Sequence, residues 1–219
     1  GAVPAVQFCA PFSMAVLARG YERFVQDIYG DPEFARDLLR VLTEEVIAPW
    51  ITAQARALPG AVMALGADAL CSPPMTNREI LEEYAIPWIL RLRELCPLPV
   101  AVVNWWGDSV YSPLDEFLQL KRRVCIDLIR AQDPDVARLG ARVFKSFAER
   151  HGLVLELGVG DVLLNQGPIE EIRWRIRHYL EEAAPGGRLI LYLCSPNATT
   201  PAQHVRAALR AAHEFGTYR

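Results

Sequence analysis

The sequence lacks the features that would place it in a membrane or on nucleic acid. No apolar stretch approaches the roughly 18 residues needed to cross a bilayer, and the N-terminus lacks the charged-then-apolar layout of a signal peptide. The formal net charge is -3, and no basic run is present that could neutralise a row of phosphates. We therefore expect no membrane insertion and no nucleic-acid partner.

Paired cysteines of the kind that hold a metal or form a redox disulfide are also missing. The five cysteines are odd in number, and none has CxxC spacing. Most of them lie inside apolar segments with strand character. Free thiols in a reducing compartment fit this pattern, so we expect a cytoplasmic protein.

Two nucleotide-binding motifs are absent as well. Gly158-Val159-Gly160 lacks the third glycine of a GxGxxG motif and leads into Asp161, whose charge would repel a pyrophosphate. A Walker phosphate-binding loop does not occur. A Rossmann dinucleotide site is therefore not favoured.

The sequence does contain a regular alternation of strand-length and helix-length segments. The strand candidates are residues 6–12, 61–70, 100–106, 124–131, 153–159 and 189–194. The helix candidates follow residues 31, 76, 136, 167 and 200. This order is typical of a parallel sheet with crossover helices, and it predicts about six strand–helix units in one α/β domain, residues 1–219.

Local signals support several of these helices. Asp31 followed by Pro32 predicts a capped helix start, and Thr76 with Glu79 forms a capping-box pattern. Thr200 followed by Pro201 predicts the start of the last helix. Periodicity alone does not decide whether the units form an open sheet or a barrel.

Several short motifs together resemble the uroporphyrinogen decarboxylase superfamily, which also contains cobalamin-dependent methyltransferases. The motifs are Pro11-Phe12-Ser13-Met14-Ala15, Tyr21, Asp31-Pro32-Glu33, Gly66-Ala67-Asp68, Ala184-Pro185-Gly186-Gly187, the strand into Cys194, and Thr200-Pro201. Their order and spacing cover nearly the whole chain.

The resemblance implies a TIM-type (β/α) barrel of eight units, of which this chain supplies the later six. Because a barrel must close to satisfy its edge strands, the resemblance also implies that the chain is a fragment, a barrel completed by a homo-oligomer or a partner chain, or an altered barrel. The N-terminal arginine and aspartate with which the family's decarboxylases bind their substrate have no counterpart here.

The resemblance also bears on metal binding. Methyltransferases of the family have a cysteine where Cys194 stands and pair it with a His-x-Cys strand end that holds zinc. Here that strand end carries Asn104 and Trp106 instead, so we expect no metal site. Because neighbouring strand residues point to opposite faces, we expect Trp106 to face inward, where it fills the metal cavity and offers a stacking surface, and Trp105 to face the helices.

Chemistry in parallel barrels collects where strands end, and this rule selects the candidate site. We predict catalytic roles for Asp108, Asp68 and Cys194. We predict substrate-binding roles for Trp106, Asn104, Ser13, Asp161 and Asn197. Each aspartate could instead cap the following helix, and Cys194 could be a small apolar residue at the end of a buried strand. Arg19 and Arg130 are the basic residues nearest to the strand ends and could pair with substrate carboxylates.

Histidine is missing from every predicted strand end. The four histidines are His151, His178, His204 and His213. Without an imidazole near a strand end, neither a Ser-His-Asp nor a Cys-His arrangement can form, so covalent hydrolase chemistry is disfavoured.

Three functional hypotheses follow. The first is cofactor-independent decarboxylation of a planar or tetrapyrrole-like carboxylated small molecule, in which Asp108 or Asp68 stabilises the protonated pyrrole. The second is corrinoid-linked methyl transfer with a degraded zinc site, for which corrinoid or zinc would be the cofactor. The third is a non-catalytic barrel half that completes a partner chain.

Overall fold

The computed structural model describes residues 4–216 and confirms the α/β alternation. Six strands alternate with helices through the described residues, and the contacts divide the chain into two compact units, the second beginning at Asp127. The prediction of one domain over residues 1–219 stays a prediction. Within residues 4–216, no helix is both long and apolar enough to cross a membrane.

The first unit carries three strands with helices between them. Its elements are β1 Ala5–Cys9, α1 Pro11–Arg19, α2 Tyr21–Gly30, α3 Pro32–Val41, a π-helical segment Leu42–Ile47, α4 Ala48–Ala57, β2 Met63–Ala67, a 3₁₀ turn Ala69–Cys71, α5 Arg78–Ile80, a second π-helical segment Leu81–Ala85, α6 Ile86–Leu95, β3 Val100–Val102 and α7 Leu114–Val124.

The second unit repeats the strand–helix alternation. Its elements are β4 Leu128–Gln132, α8 Asp135–Leu139, α9 Ala141–Arg150, β5 Val154–Val159, α10 Asp161–Gln166, α11 Ile169–Ala183, β6 Leu189–Leu193 and α12 Ala202–Phe215.

Each unit builds its own parallel three-stranded sheet, in the orders β1-β2-β3 and β4-β5-β6. Parallel strands end at the same edge, so each sheet gathers the residues that follow its strands. The fold is therefore α/β with two parallel sheets, and the closed eight-unit barrel stays a prediction.

The first unit has a dense aromatic and aliphatic core. Phe12 of α1 and Phe24 of α2 meet edge to face, with ring centroids 5.2 Å apart. Ile28, one helical turn beyond Phe24, is buried on the same side of α2. Phe8 in β1 closes over Gly66 of β2, where a Cβ atom would lie 2.6 Å from the Phe8 ring.

Both π-helical segments end just before a proline. The amide of Ala48 bonds to the carbonyl of Thr43, and the amide of Ile86 bonds to that of Leu81, so each bond spans five residues. Pro49 and Pro87 come next, and each lacks the N–H of a normal helix turn. We infer that the wider turn accommodates the proline.

A sequence repeat underlies this similarity. Residues 44–51 and 82–89 share the pattern Glu-Glu-x-x-x-Pro-Trp-Ile. Arg91 of α6 is ion-paired with Glu44 at 2.8 Å, so the two repeated helices also contact each other.

Several predicted strand boundaries were wrong. The predicted strand 6–12 ends at Cys9, since Pro11 begins α1; the predicted strand 100–106 ends at Val102. The predicted strand 124–131 begins only at Leu128, because Val124 completes α7. Apolar helix ends next to apolar strands explain these errors.

Two predicted helix caps were also wrong. The helix is capped by Asn77 and not by Thr76, because Asn77 Oδ1 accepts a hydrogen bond from the backbone N–H of Ile80. The Thr76 hydroxyl instead donates to the carbonyl of Cys71. The last helix begins after Pro201 without a side-chain cap, and Thr200 instead donates to Asn165. The Asp31 cap is confirmed by its bond from the Phe34 amide.

Candidate functional site

The sheet of the second unit has one apolar and one polar face. Ile129, Leu155 and Leu157 point one way and are buried. Their neighbours point the other way, and these are Arg130, Gln132, Glu156, Gly158, Tyr192 and Cys194. We call this second set the polar face.

Strand register places the polar-face residues in rows. Arg130 lies beside Glu156, and Gln132, Gly158 and Tyr192 form the next row. Gly158 occupies the middle of its row, where a Cβ would lie 2.5 Å from Cys194 Sγ and 2.6 Å from Tyr192 Cζ. Only a residue without a side chain lets these groups converge.

Gln132 links the other two side chains above Gly158. The Tyr192 hydroxyl donates to Gln132 Oε1 at 2.8 Å, and the Cys194 thiol donates to the same oxygen at 3.2 Å. The arrangement joins β4 to the end of β6 across β5. It therefore fixes a thiol, a phenol and an amide in one place.

Arg130 extends this cluster by one row. Its Nε–H donates to Glu156 Oε2, and its guanidinium carbon lies 4.9 Å from the centre of the Tyr192 ring. The Arg130 side chain remains 24% exposed. A partly exposed cation thus adjoins the buried thiol.

The thiol and the phenol of the polar face are both held in their neutral forms. Burial, the largest cause, raises the pKa of Cys194 to about 12, and the carboxylates of Asp133 and Asp161 add to the shift. Burial also raises the pKa of Tyr192 well above its usual range. At neutral pH both groups are therefore hydrogen-bond donors, and the thiol is a poor nucleophile.

A buried ionic cluster supports the strand ends behind the polar face. Asp133, directly after β4, accepts from the Gly160 backbone N–H at 3.0 Å and is ion-paired with Arg175 at 2.9 Å. The Tyr179 hydroxyl donates to the other oxygen of Asp133. These bonds join the ends of β4 and β5 to α11 and so hold Gln132 in place.

Asp161 and Asn197, both predicted to bind substrate, are exposed at the strand ends of the second unit. Asp161 begins α10, and Asn197 Oδ1 accepts from the Thr199 backbone N–H at 2.8 Å. Each lies on the edge that carries Cys194. Their substrate contacts stay predictions.

The strand ends of the first unit meet at Asp68, which is fully buried. Asp68 Oδ1 accepts from the Ser13 backbone N–H at 2.9 Å, and Oδ2 accepts from Trp105 Nε1 at 3.0 Å. Asn104 Oδ1 accepts from the Asp68 backbone N–H at 2.7 Å. Burial raises the Asp68 pKa, although the bonds from Trp105 and Ser13 oppose the shift.

The two tryptophans differ in burial, and their predicted orientation stays a prediction. Trp105 is the buried indole, whereas Trp106 is only partly buried and its backbone N–H donates to Ser72 Oγ. Residues 104–107 lie beyond the end of β3, so strand alternation does not apply there. Ser13 and Asn104 do lie beside Asp68, as their shared strand-end position predicts.

Asp108 forms a buried ion pair. Both of its carboxylate oxygens accept from Lys121 Nζ of α7, at 2.9 and 3.0 Å. Neither side chain is more than 4% exposed. The pair anchors the loop after β3 to α7, and a catalytic role for Asp108 stays a prediction.

The residues around Cys194 do not fit zinc. Its hydrogen-bonding neighbours are an amide and a phenol, and neither is a ligand that zinc favours. In residues 4–216, no group of three or more His, Cys, Asp or Glu side chains could hold a metal.

Comparison with known proteins found a solved structure with a similar α/β fold. No family model matches the sequence, and no curated protein matches it. A solved structure of a methyltransferase from Methanosarcina mazei is similar to 97% of this chain, with a TM-score of 0.76 and 17% sequence identity. The chain spans 59% of the length of that structure. The chain thus shares the α/β fold of that structure over most of its length.

Sequence reasoning missed part of the polar face. The sequence analysis did not assign Gln132, Tyr192, Glu156 or Gly158 to the site. Alternation from Cys194 could have found Tyr192, which lies two residues earlier on the same face. The signal for Glu156 was a charged residue inside an otherwise apolar strand.

Proposed function

We propose that the chain is a small-molecule-binding, methyltransferase-like protein whose site is the polar face, and that it works there without zinc. One observation carries this proposal: a thiol, a phenol and an amide converge above Gly158 beside a partly exposed guanidinium. Several polar groups gathered in one partly buried place are typical of a binding site.

The polar face favours binding through hydrogen bonds. Cys194 and Tyr192 remain protonated at neutral pH, so both can donate to a substrate oxygen when Gln132 rotates away. The Gln132 amide nitrogen has no hydrogen-bond partner within the described part of the chain. These groups orient a substrate or donate a proton to it, whereas attack by a Cys194 thiolate is disfavoured.

Decarboxylation led by Asp68 or Asp108 has less support. Asp68 is enclosed by Ser13 and Trp105, and Asp108 is enclosed by its pair with Lys121. A substrate would have to displace these buried bonds, which is costly. A carboxylated or tetrapyrrole-like substrate is therefore better tested at the polar face.

Corrinoid-linked methyl transfer is the second candidate function. It is favoured by one observation, the structural likeness to a methyltransferase. Equilibrium dialysis of hydroxocobalamin against the purified protein tests it. Retention of the corrinoid would support this function, and its absence from the protein compartment would count against it.

Completion by another chain is a further proposal, which the sheet edge of the first unit supports. In residues 4–216, β1 pairs with β2 on one side only. An open edge of this kind can accept a further strand. Light scattering after gel filtration tests the idea, and a well-behaved monomer would contradict it.

A fragment screen by ligand-observed NMR tests the proposed site. We expect hits on the wild-type protein that are lost in Gln132→Ala, while Cys125→Ser serves as a control in a buried thiol of the first unit. Hits that survive in Gln132→Ala and disappear in Trp106→Ala would move the site to the first unit and contradict the proposal.

A further inference from the structure

Arg130 is held firmly on the polar face, yet only part of its guanidinium group is used. Nε–H donates to Glu156, and one face of the group stacks against Tyr192. Within residues 4–216, the hydrogen bond of Arg130 uses Nε, and neither Nη1 nor Nη2 donates a hydrogen bond to a protein atom. A fixed guanidinium with two unused donor groups is suited to receive an anion.

We propose that Arg130 makes the polar face selective for small carboxylates, with the two Nη groups donating two parallel hydrogen bonds to one carboxylate. The inference rests on the proposed function and adds the substrate class. The planar guanidinium matches a carboxylate in this bidentate way, whereas an ammonium group does not.

Glu156 and Tyr192 prepare Arg130 for this task. The bond to Glu156 fixes the guanidinium plane, and the Tyr192 ring covers one side of it, so little side-chain freedom is lost on binding. Partial burial also strengthens the attraction between opposite charges relative to water.

The negative charges of the acidic groups around the polar face are partly neutralised or screened, which reduces their repulsion of a bound anion. Glu156 is paired with Arg130, and Asp133 is paired with Arg175. Asp161 is exposed, so solvent weakens its repulsion of an anion at Arg130, although its charge and that of Asp133 still raise the pKa of Cys194. Because Cys194 and Tyr192 stay protonated, they add no negative charge at neutral pH.

The rows of the sheet set the size of the ligand. Arg130 precedes Gln132 by two residues on β4, a step of about 7 Å along the strand. A carboxylate held at Arg130 therefore places the rest of a short or ring-sized molecule against Tyr192, Gln132 and Cys194, the side chains that fill the space above Gly158.

Benzoate and benzamide provide a matched pair of probes, because they share a ring and differ in charge. Calorimetric titration of the wild-type protein is expected to show benzoate binding about tenfold more tightly or better, as charge-assisted bonds predict. The preference should disappear in Arg130→Met and persist in Arg206→Met, which removes an exposed arginine of α12 from the same unit.

Arg130→Met alone leaves Glu156 without its partner, so the double variant Arg130→Met with Glu156→Gln is measured alongside it. Equal binding of benzoate and benzamide to the wild-type protein, with both lost in Gln132→Ala, would overturn the carboxylate assignment and leave the proposed function standing. Binding of neither probe would overturn both.

Discussion

Cys194 Sγ lies 3.2 Å from Gln132 Oε1, although the two residues are 62 positions apart in the sequence. The contact crosses the sheet from β6 to β4 and passes above β5. It exists because Gly158 has no side chain, and the neutral thiol exists because burial raises its pKa.

Gly158→Ala should destabilise the protein. A Cβ at this position would lie 2.5 Å from Cys194 Sγ and 2.7 Å from Gln132 Cβ, so the neighbouring strands must shift. Overpacking of this kind costs about 1–3 kcal/mol. Urea unfolding measures the loss. Gly30→Ala is the control, since nothing lies within 4 Å of its added Cβ, and equal effects of the two changes would contradict the account.

Cys194 should react slowly with iodoacetamide. With a pKa of about 12, on the order of one thiol in ten thousand is ionised at pH 8, far fewer than for a free cysteine. Mass spectrometry of the peptide that contains Cys194 follows the reaction, with N-acetylcysteine as the reference. A rate equal to that of the reference would show that the thiol is neither buried nor held neutral.

Asp68 should make stability fall as the pH rises. Its pKa in the folded protein lies above the ordinary value of 3.8. Between pH 3.8 and the raised pKa, the folded state therefore binds more protons than the unfolded state. Its contribution to stability is complete below pH 3.8 and is lost as the pH rises through the raised pKa.

Asp68→Asn removes this dependence, and urea unfolding across acidic pH measures it. We expect the unfolding free energy of the wild type minus that of Asp68→Asn to be larger below pH 3.8 than above the raised pKa of Asp68. A difference that grows with rising pH would mean that the folded protein lowers the pKa of Asp68.

Breaking the pair between Asp108 and Lys121 should be strongly destabilising. Each side chain is buried, and loss of one partner from a buried ion pair costs about 3–5 kcal/mol. Each single variant, Asp108→Asn or Lys121→Met, is therefore expected to lower the melting temperature. The double variant, which carries both changes, is expected to recover part of that loss. If Asp108→Asn leaves stability unchanged, a structural role is excluded and the predicted catalytic role gains support.

The sequence predicted the units better than the site. Apolar runs and caps such as Asp31 depend on neighbouring residues, so strands and helices could be recognised locally. The polar face depends on register between strands that are far apart in sequence, and register could not be read from any one strand. Gln132 and Tyr192 meet only because β4 and β6 flank β5.

The tryptophans show a second limit. Strand alternation can orient Trp105 and Trp106 only if the strand continues through both residues. The strand β3 ends at Val102, so alternation gives no information about them. The buried hydrogen-bond partner of Trp105 is Asp68. The Asp68 carboxylate also accepts a hydrogen bond from the backbone N–H of Ser13 in α1. A tertiary hydrogen bond, not local pattern, decided which indole was buried.

A crystal structure of the protein soaked with benzoate tests the central claim most directly. We expect benzoate on the polar face, with its carboxylate at Arg130 and its ring against Tyr192, Gln132 and Cys194. Benzoate bound instead beside Asp68 and Trp106 in the first unit, with the polar face unchanged, would contradict it.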